Sequence, residues 1–198
     1  MKNGLTGWLG TGALAIAGLA IGWFATPAVM ARLTFADPII AGPWRTSKTV
    51  GGVNAGHYTR AYVARTALLA LNRAETIYFE AAVDDAGRPL RAGCSYDLSG
   101  GTIQARWWSI TAYADDYYLI PNSAKRYSFT LKTLSPDAAG RFTIALGPTE
   151  RAGSWLPTGD KGGGFNLLLR LYNPDGEIAT EPGLAKLPAI VRVGECRA

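Results

Sequence analysis

The sequence is poor in the residues that hold most protein-bound metal ions. It contains one histidine, His57, and two cysteines, Cys94 and Cys196, among its 198 residues. A zinc site usually takes four ligands of these types at close spacing, and the carboxylates of the chain show no spacing that would replace them. We therefore expect no metal site, and we find no motif that predicts a cofactor.

The motifs of common catalytic and nucleotide-binding sites are also absent. There is no G-x-S-x-G, no H-E-x-x-H, no P-loop and no dinucleotide fingerprint. The Lys and Arg residues number 20 and are scattered, and the net charge of +5 forms no basic stripe. We therefore expect no nucleic-acid binding. The sequence does not decide whether the protein is an enzyme, and it favours a non-catalytic protein.

Charge is missing from residues 3–31, which contain no Asp, Glu, Lys, Arg or His. The central stretch, 5–25, would form a helix of about 31 Å, close to the thickness of a bilayer's hydrocarbon core. Trp8 and Trp23 lie near its two ends, where tryptophan favours the membrane interface. We predict a retained transmembrane anchor over residues 1–31.

A signal peptide is the alternative for the same segment. Val29 and Ala31 fit the small residues that precede a cleavage site, but the apolar stretch is long for a signal core. If the segment is an anchor, Lys2 predicts that the amino terminus is cytoplasmic, because positively charged residues that flank a membrane helix favour the cytoplasmic side. The expected location is a single pass through the inner membrane, with the following domain in the periplasm. Gly18 and Gly22 form one G-x-x-x-G step, which leaves a homo-oligomer open.

The remainder of the chain predicts one domain after a linker. Residues 32–56 are rich in Pro and Gly and read as an extended linker, and residues 57–198 form the domain. Good helix formers over 58–73 predict one amphipathic helix. After residue 76, short alternating segments are separated by turn residues, which is typical of an antiparallel β-sandwich or jelly roll. The predicted strands are 77–83, 95–98, 103–113, 127–131, 142–146, 165–171 and 190–193.

The two cysteines predict a disulfide if the domain is exported. Cys94 and Cys196 would close a loop of about 100 residues, and exported domains commonly oxidise such pairs. The alternative is two free, buried thiols.

Aromatic and arginine residues provide the best candidate for a binding site. Aromatic rings stack on sugars or apolar ligands, and arginine binds carboxylate or phosphate groups through paired hydrogen bonds. Arg126 and Arg170 interrupt apolar segments, where a charge needs a partner or solvent. The alternative is that most of these residues serve the core or structural pairs. The candidate ligand-binding residues are Trp107, Tyr113, Arg126, Tyr127, Trp155, Arg170 and Tyr172.

Paired carboxylates support a second hypothesis, a hydrolase that acts on glycans. Glycosidases use two carboxyl groups facing each other across a cleft. Two of the candidates, Asp115 and Asp116, are adjacent in a turn, which is a common place for aspartate in any protein. The candidates are Glu75, Glu80, Asp97, Asp115 and Asp116.

Four short segments in order carry a family resemblance. They are RWWSITAY at 106–113, PNSAKRYS at 121–128, SWLP at 154–157 and LRLYNP at 169–174. Together they resemble the bacterial family known as domain of unknown function twelve-fourteen, over roughly residues 58–176. The resemblance implies a jelly-roll-like β-sandwich and provides no catalytic residue.

The resemblance also implies a companion. In longer relatives this domain follows a second one, domain of unknown function twelve-fifty-four, which has no counterpart in this sequence. We therefore expect a separate, membrane-anchored protein to supply that half. The expected function is a membrane-anchored envelope protein that binds a ligand or assembles with the companion. The alternative is a carboxylate-dependent hydrolase acting on envelope or imported glycans.

Overall fold

The structure is a computed structural model that describes residues 4–32, 37–66, 68, 70–159 and 162–196. The chain divides into two units, Met1–Thr34 and Phe35–Ala198. The first unit contains helix α1 (Gly4–Arg32), whose side chains from residue 10 to residue 26 are exposed. Within the described part of the chain, no helix combines the length and the apolarity that crossing a membrane requires. The predicted anchor begins outside the described residues, at 1–3, and stays a prediction.

The second unit is mainly β, as the sequence predicts. Six strands form one sheet in the order β1-β2-β3-β9-β5-β6, and four form another in the order β10-β4-β7-β8. The strands are β1 (Pro38–Ala41), β2 (Trp44–Ser47), β3 (Thr76–Ala81), β4 (Tyr96–Gly100), β5 (Ala105–Ala114), β6 (Ser128–Thr130), β7 (Phe142–Gly147), β8 (Trp155–Pro157), β9 (Phe165–Pro174) and β10 (Ala189–Arg192). The helices of this unit are α2 (His57–Arg65), α3 (Gly176–Thr180) and the 3₁₀ turn Pro182–Leu184.

One hydrophobic core lies between the two sheets. Successive side chains of a strand point to opposite faces, so the alternating apolar residues of β9 enter the core together. Trp108 of β5 stacks on Phe142 of β7 at 5.5 Å between ring centroids. Tyr96 of β4 meets Phe165 of β9 edge to face at 5.8 Å. These ring contacts join the larger sheet to the smaller one.

The structure differs from the sequence-based expectation in the segment before the predicted domain. Residues 38–47, inside the predicted linker 32–56, form a β1–β2 hairpin that adds to the larger sheet. Trp44 of this hairpin is 0 % exposed, and its Nε1–H donates to the carbonyl of Pro188 at 2.7 Å. The proline and glycine residues of the turns favoured a linker in the sequence-based prediction, because a buried strand of only four residues gives a weak pattern.

Two further expectations need correction. The helix predicted over 58–73 is shorter, since α2 ends at Arg65, where the Thr66 hydroxyl donates back to the carbonyl of Tyr62. The sheets are not wholly antiparallel, because β8 pairs with β7 in parallel. The connection between those two strands returns the chain, so that β8 runs in the same direction as β7. Sequence alternation does not report strand direction, so the pattern gave no sign of this pair.

The predicted disulfide is confirmed. Cys94 and Cys196 are bonded, 102 residues apart in sequence. The bond lies beyond the end of the β4–β10 pair, in which Tyr96 pairs with Arg192 and the Val193 N–H donates to the carbonyl of Ser95. It therefore fastens the last strand to the middle of the smaller sheet.

A buried aspartate holds the turn after β3 and predicts a pH dependence of stability. The Asp84 carboxylate has a fully buried side chain, accepts from the backbone N–H of Ala86 and Arg88, and pairs with the Arg88 guanidinium at 2.8 Å. Burial alone would raise the pKa of Asp84, but the hydrogen bonds and charge of Arg88 together hold it below 3.8.

Because the folded-state pKa is depressed, this stabilisation is complete above the unfolded pKa and is lost as the pH falls through the folded value. We expect the free energy of unfolding of the wild type to fall more steeply below about pH 5 than that of Asp84→Asn. Urea unfolding over a pH series measures both curves. If the unfolding free energies of the two proteins fall equally steeply below about pH 5, the stabilising role of the Asp84 carboxylate is contradicted.

Candidate ligand-binding face

The strands at the centre of the larger sheet turn one set of side chains away from the core. Strand register places Trp107 opposite Tyr172 and Ser109 opposite Arg170. The next strand places Tyr78 opposite Arg170. Residues that share this parity lie on the same side of the sheet, while their neighbours fill the core. We call this side the outer face; it comprises Thr76, Tyr78, Glu80, Trp107, Ser109, Thr111, Tyr113, Asn166, Leu168, Arg170 and Tyr172.

Arg170 lies in the middle of the outer face and is held by two neighbours. Its Nη2 donates to the Tyr113 hydroxyl at 2.9 Å, and its Nη1 donates to Thr111 Oγ1 at 3.3 Å. The guanidinium carbon is also 5.8 Å from the Tyr113 ring centroid, a cation–π contact. The side chain is partly exposed. Among the described residues no carboxylate forms an ion pair with it, so the charge is oriented without being neutralised.

An aromatic pair adjoins Arg170. Trp107 and Tyr172 meet edge to face with ring centroids 5.0 Å apart, and both are partly exposed. Tyr172 and Arg170 are two residues apart on β9 and share one face. The same pair lines an open cavity of about 430 Å³ together with Arg106, Lys132 and Asn173. The outer face thus combines an oriented cation with exposed ring surface.

Four of the seven predicted ligand-binding residues come together on the outer face: Trp107, Tyr113, Arg170 and Tyr172. The other three lie elsewhere. Trp155 is buried in β8, where its Nε1–H donates to the carbonyl of Gly147. Arg126 lies in the loop before β6 and not inside a strand, and its Nη1 donates to the Trp155 carbonyl at 3.0 Å. Tyr127 adjoins β6, and its carbonyl accepts from the Ala112 N–H.

A second polar cluster occupies the outer face around a buried glutamate. Glu80 is 3 % exposed, and its carboxyl group accepts hydrogen bonds from the hydroxyls of Tyr62 and Tyr117, the latter at 3.0 Å. Arg45, its cross-strand neighbour on β2, pairs with it at 3.4 Å. Helix α2 supplies Tyr62 and thereby covers this end of the face. We call Arg45, Tyr62, Glu80 and Tyr117 the Glu80 cluster.

The two tyrosines of the Glu80 cluster are firm donors. Burial, and then the neighbouring Glu80 charge, raises the pKa of Tyr62 and also that of Tyr117 above the usual value for tyrosine. Both hydroxyls therefore keep their protons and donate to the carboxyl group. With each oxygen engaged and the side chain buried, Glu80 is arranged to hold the fold together and has no access to a substrate.

Tyr117 reaches Glu80 from a strained backbone position. Its φ of 64° lies in the left-handed region, which a bulky residue adopts at a cost of about 1–2 kcal/mol. The Arg65 guanidinium lies 5.9 Å from its ring centroid. Hydrogen bonding and burial in the Glu80 cluster offset the strain and fix the turn that follows β5.

The remaining candidate carboxylates have structural partners or lie apart. Asp97 pairs with Arg151 at 2.7 Å. Asp115 accepts from the Gly164 N–H at 2.8 Å, and a Cβ at Gly164 would displace the same carboxylate. Asp116 accepts from the Tyr118 N–H at 3.0 Å. Asp115 and Asp116 line a cavity of about 330 Å³ beside the glycine-rich loop. Glu75 is exposed.

In the described part of the chain, no group of three or more His, Cys, Asp or Glu residues is placed so that it could hold a metal ion. The sequence-based prediction also missed Tyr78, Ser109 and Thr111 of the outer face, and Lys132 in the adjoining cavity. The alternation along β5 was the available signal: Trp107, Ser109, Thr111 and Tyr113 are two residues apart and share a face. The partners of Glu80 had no such signal, because they come from three distant segments.

A solved structure of another bacterial protein shares this fold. The chain superimposes on the crystal structure of the VPA0106 protein from Vibrio parahaemolyticus with a TM-score of 0.59 and 22% identity, over 74% of this chain and 40% of that one. An uncharacterized protein from Burkholderia cenocepacia gives a TM-score of 0.40 and 19% identity, over 63% and 31% of the two chains. The chain thus spans about two fifths of the length of the Vibrio protein.

A search of curated proteins gives no match. The profile of a protein family does match, over residues 75–176, which is just over half of the chain. These residues run from the start of β3 to the start of α3 and include the outer-face residues of β3, β5 and β9. The chain therefore belongs to the family described as "Protein of unknown function (DUF1214)".

Proposed function

We propose that this protein is a non-catalytic binding module that holds an anionic ligand on its outer face, at Arg170. One observation carries the proposal: the Arg170 guanidinium is oriented by Thr111 and Tyr113, is partly exposed, and has no ion pair among the described residues. A guanidinium has five N–H donors, and those left over by two neutral neighbours are suited to a carboxylate or phosphate.

The neighbouring rings define the rest of the ligand. Trp107 and Tyr172 present partly exposed aromatic surface next to Arg170. Aromatic side chains gain most by covering an apolar ring face, such as the C–H face of a sugar. The proposed ligand is therefore an anion that carries a ring, and its charge faces Arg170 while its ring lies on the aromatic pair.

Glucuronate and glucose test this proposal, because they differ in one carboxylate. We expect the full-length protein to bind glucuronate more tightly than glucose in isothermal titration. Arg170→Gln is expected to weaken glucuronate binding about tenfold or more, the usual effect of losing a charge-assisted hydrogen bond. Arg141→Gln is the matched control, since Arg141 is exposed and lies just before β7 of the smaller sheet. Equal glucuronate affinity in wild type and Arg170→Gln would contradict the proposal.

We also propose that the segment 1–31 anchors the protein in the inner membrane with the DUF1214 domain in the periplasm. Support comes from the charge-free run 3–31 and from the exposed apolar side chains of α1, among them Leu14, Leu19 and Phe24. Protease added to intact spheroplasts is expected to digest the domain. Digestion that occurs only after lysis would contradict this topology.

A separate companion protein is the third part of the proposal. The chain spans two fifths of the Vibrio protein, which leaves room for further parts that a partner would supply. A groove of about 560 Å³ between α2 and the loop 51–55 offers a docking surface, with Val53 88 % exposed on its edge. We expect Val53→Asp to abolish co-purification of a membrane-anchored partner from detergent extracts. Val191→Asp, at another exposed apolar site, is the control, and equal recovery in both variants would contradict docking there.

The hydrolase alternative has one supporting observation, the cavity lined by Asp115 and Asp116. Asp115 already accepts from the Gly164 N–H of a distant segment, and Asp116 accepts from the Tyr118 N–H within its own turn, which is sufficient reason for their presence. Release of reducing sugar from envelope glycans by the wild type, lost in Asp116→Asn, would favour the hydrolase over the binding module.

A further inference from the structure

We infer that the ligand of the outer face is a linear polyuronate, an acidic polysaccharide that lies diagonally across the sheet from Arg170 to Lys132. This inference rests on the proposed function and extends it from one anionic unit to a chain of them. It arises from the open cavity beside Trp107 and Tyr172, whose lining includes two further cations.

Lys132 lies on the far side of Trp107 from β9. Ser109 of β5 pairs with Thr130, the last residue of β6, and the Leu131 N–H donates to the Trp108 carbonyl at 3.2 Å. A turn over 131–133 follows, in which the N–H groups of Thr133 and Leu134 donate to the carbonyl of Thr130. Lys132 belongs to this turn and lines the same cavity as Trp107 and Tyr172, while Arg170 is two residues from Tyr172 on β9.

The spacing of the two cations suits a chain better than a single unit. Arg170 on β9 and Lys132 after β6 lie on opposite sides of β5, and two strand spacings of about 4.8 Å each separate β9 from β6. Trp107 of β5 lies between them. One sugar ring on the aromatic pair leaves its own carboxylate near one cation, and a neighbouring unit of the polymer brings a second carboxylate to the other.

The charges around this cavity are unneutralised. Neither Arg106 nor Lys132 has an ion pair or a side-chain hydrogen bond among the described residues, and the five lining residues include no acid. Long-range attraction of an anionic chain follows from such a surface, and it weakens as salt is added.

A nucleic acid fits this surface less well. It carries a phosphate on every unit, and its affinity comes from many phosphate contacts along a longer basic surface. Single strands also need open ring faces for successive bases. Here the two rings meet edge to face at 66°, so they do not provide parallel ring faces for successive bases.

Isothermal titration with four probes tests the inference on the full-length protein. The probes are a galacturonate hexamer, the galacturonate monomer, the fully methyl-esterified hexamer and an oligothymidylate of eight nucleotides. We expect the hexamer to bind at least tenfold more tightly than the monomer, and the esterified hexamer to show no binding. Lys132→Gln is expected to weaken hexamer binding about tenfold, as for a lost charge-assisted contact, and to leave the monomer unchanged. Arg141→Gln should leave both unchanged.

The outcomes separate this inference from the proposed function. Equal affinity for hexamer and monomer, with no effect of Lys132→Gln, would overturn the inference that the ligand is a polymer. In that case, loss of monomer binding in Arg170→Gln would still support the proposed anion site at Arg170. Tighter binding of the oligothymidylate than of the hexamer would overturn the saccharide. Absence of Arg170-dependent binding of any uronate would overturn both.

Discussion

Replacement of Glu80 by alanine is expected to lower the free energy of unfolding by about 3–5 kcal/mol. The substitution removes the acceptor that the Arg45 guanidinium and the hydroxyls of Tyr62 and Tyr117 share. Loss of a charged acceptor that water does not replace is the larger part of the effect. Urea unfolding of the detergent-solubilised protein, followed by far-ultraviolet circular dichroism, measures the change.

Two variants calibrate the Glu80 result. Glu181→Gln removes the exposed Lys48–Glu181 pair and is expected to change the unfolding free energy by less than about 1 kcal/mol. Tyr117→Phe removes one donor and leaves the Glu80–Tyr62 hydrogen bond in place, so its effect should fall between the two. A Glu80→Ala protein as stable as Glu181→Gln would show that the Glu80 cluster does not stabilise the fold.

Loss of the Cys94–Cys196 disulfide is the second large expected effect. The bond closes a loop across 102 residues, and loop-closure entropy gives a stabilisation of up to about 4–5 kcal/mol for such a length. The double variant Cys94→Ala/Cys196→Ala should therefore unfold at a much lower urea concentration. Because the bond fastens β10 to β4, hydrogen exchange should rise first in β10.

Reduction provides the matched control for the disulfide. Wild-type protein in dithiothreitol should approach the stability of the double alanine variant, which is itself expected to be insensitive to the reductant. Coincident unfolding curves for oxidised wild type and the double variant would contradict a stabilising role.

The sequence predicted the outline of the fold because alternation is a local signal. Phe165, Leu167, Leu169 and Leu171 repeat every second residue, and all four are buried in the core. Four residues of the outer face were predicted from their side-chain type, aromatic or arginine, and not from alternation. The disulfide was predictable under the hypothesis of export, since two cysteines allow one pairing.

The parts that the sequence did not predict depend on contacts between distant segments. Arg45, Tyr62 and Tyr117 reach Glu80 from β2, α2 and the turn after β5. Nothing in their local patterns differs from ordinary surface residues. The β1–β2 hairpin was missed for a related reason, because its strands are short and gain their stability from Trp44 packing into the core. Trp155 was assigned to the site because an aromatic residue looks the same in sequence on either face.

Amide chemical shifts test the central claim, that the outer face binds an anionic ligand, most directly. Isotope-labelled full-length protein in detergent is titrated with the galacturonate hexamer. We predict that the largest changes fall on β5 and β9 around Trp107, Tyr113, Arg170 and Tyr172, and that they disappear in Arg170→Gln. Changes confined to the cavity of Asp115, Asp116 and residues 162–164, and retained in Arg170→Gln, would contradict it.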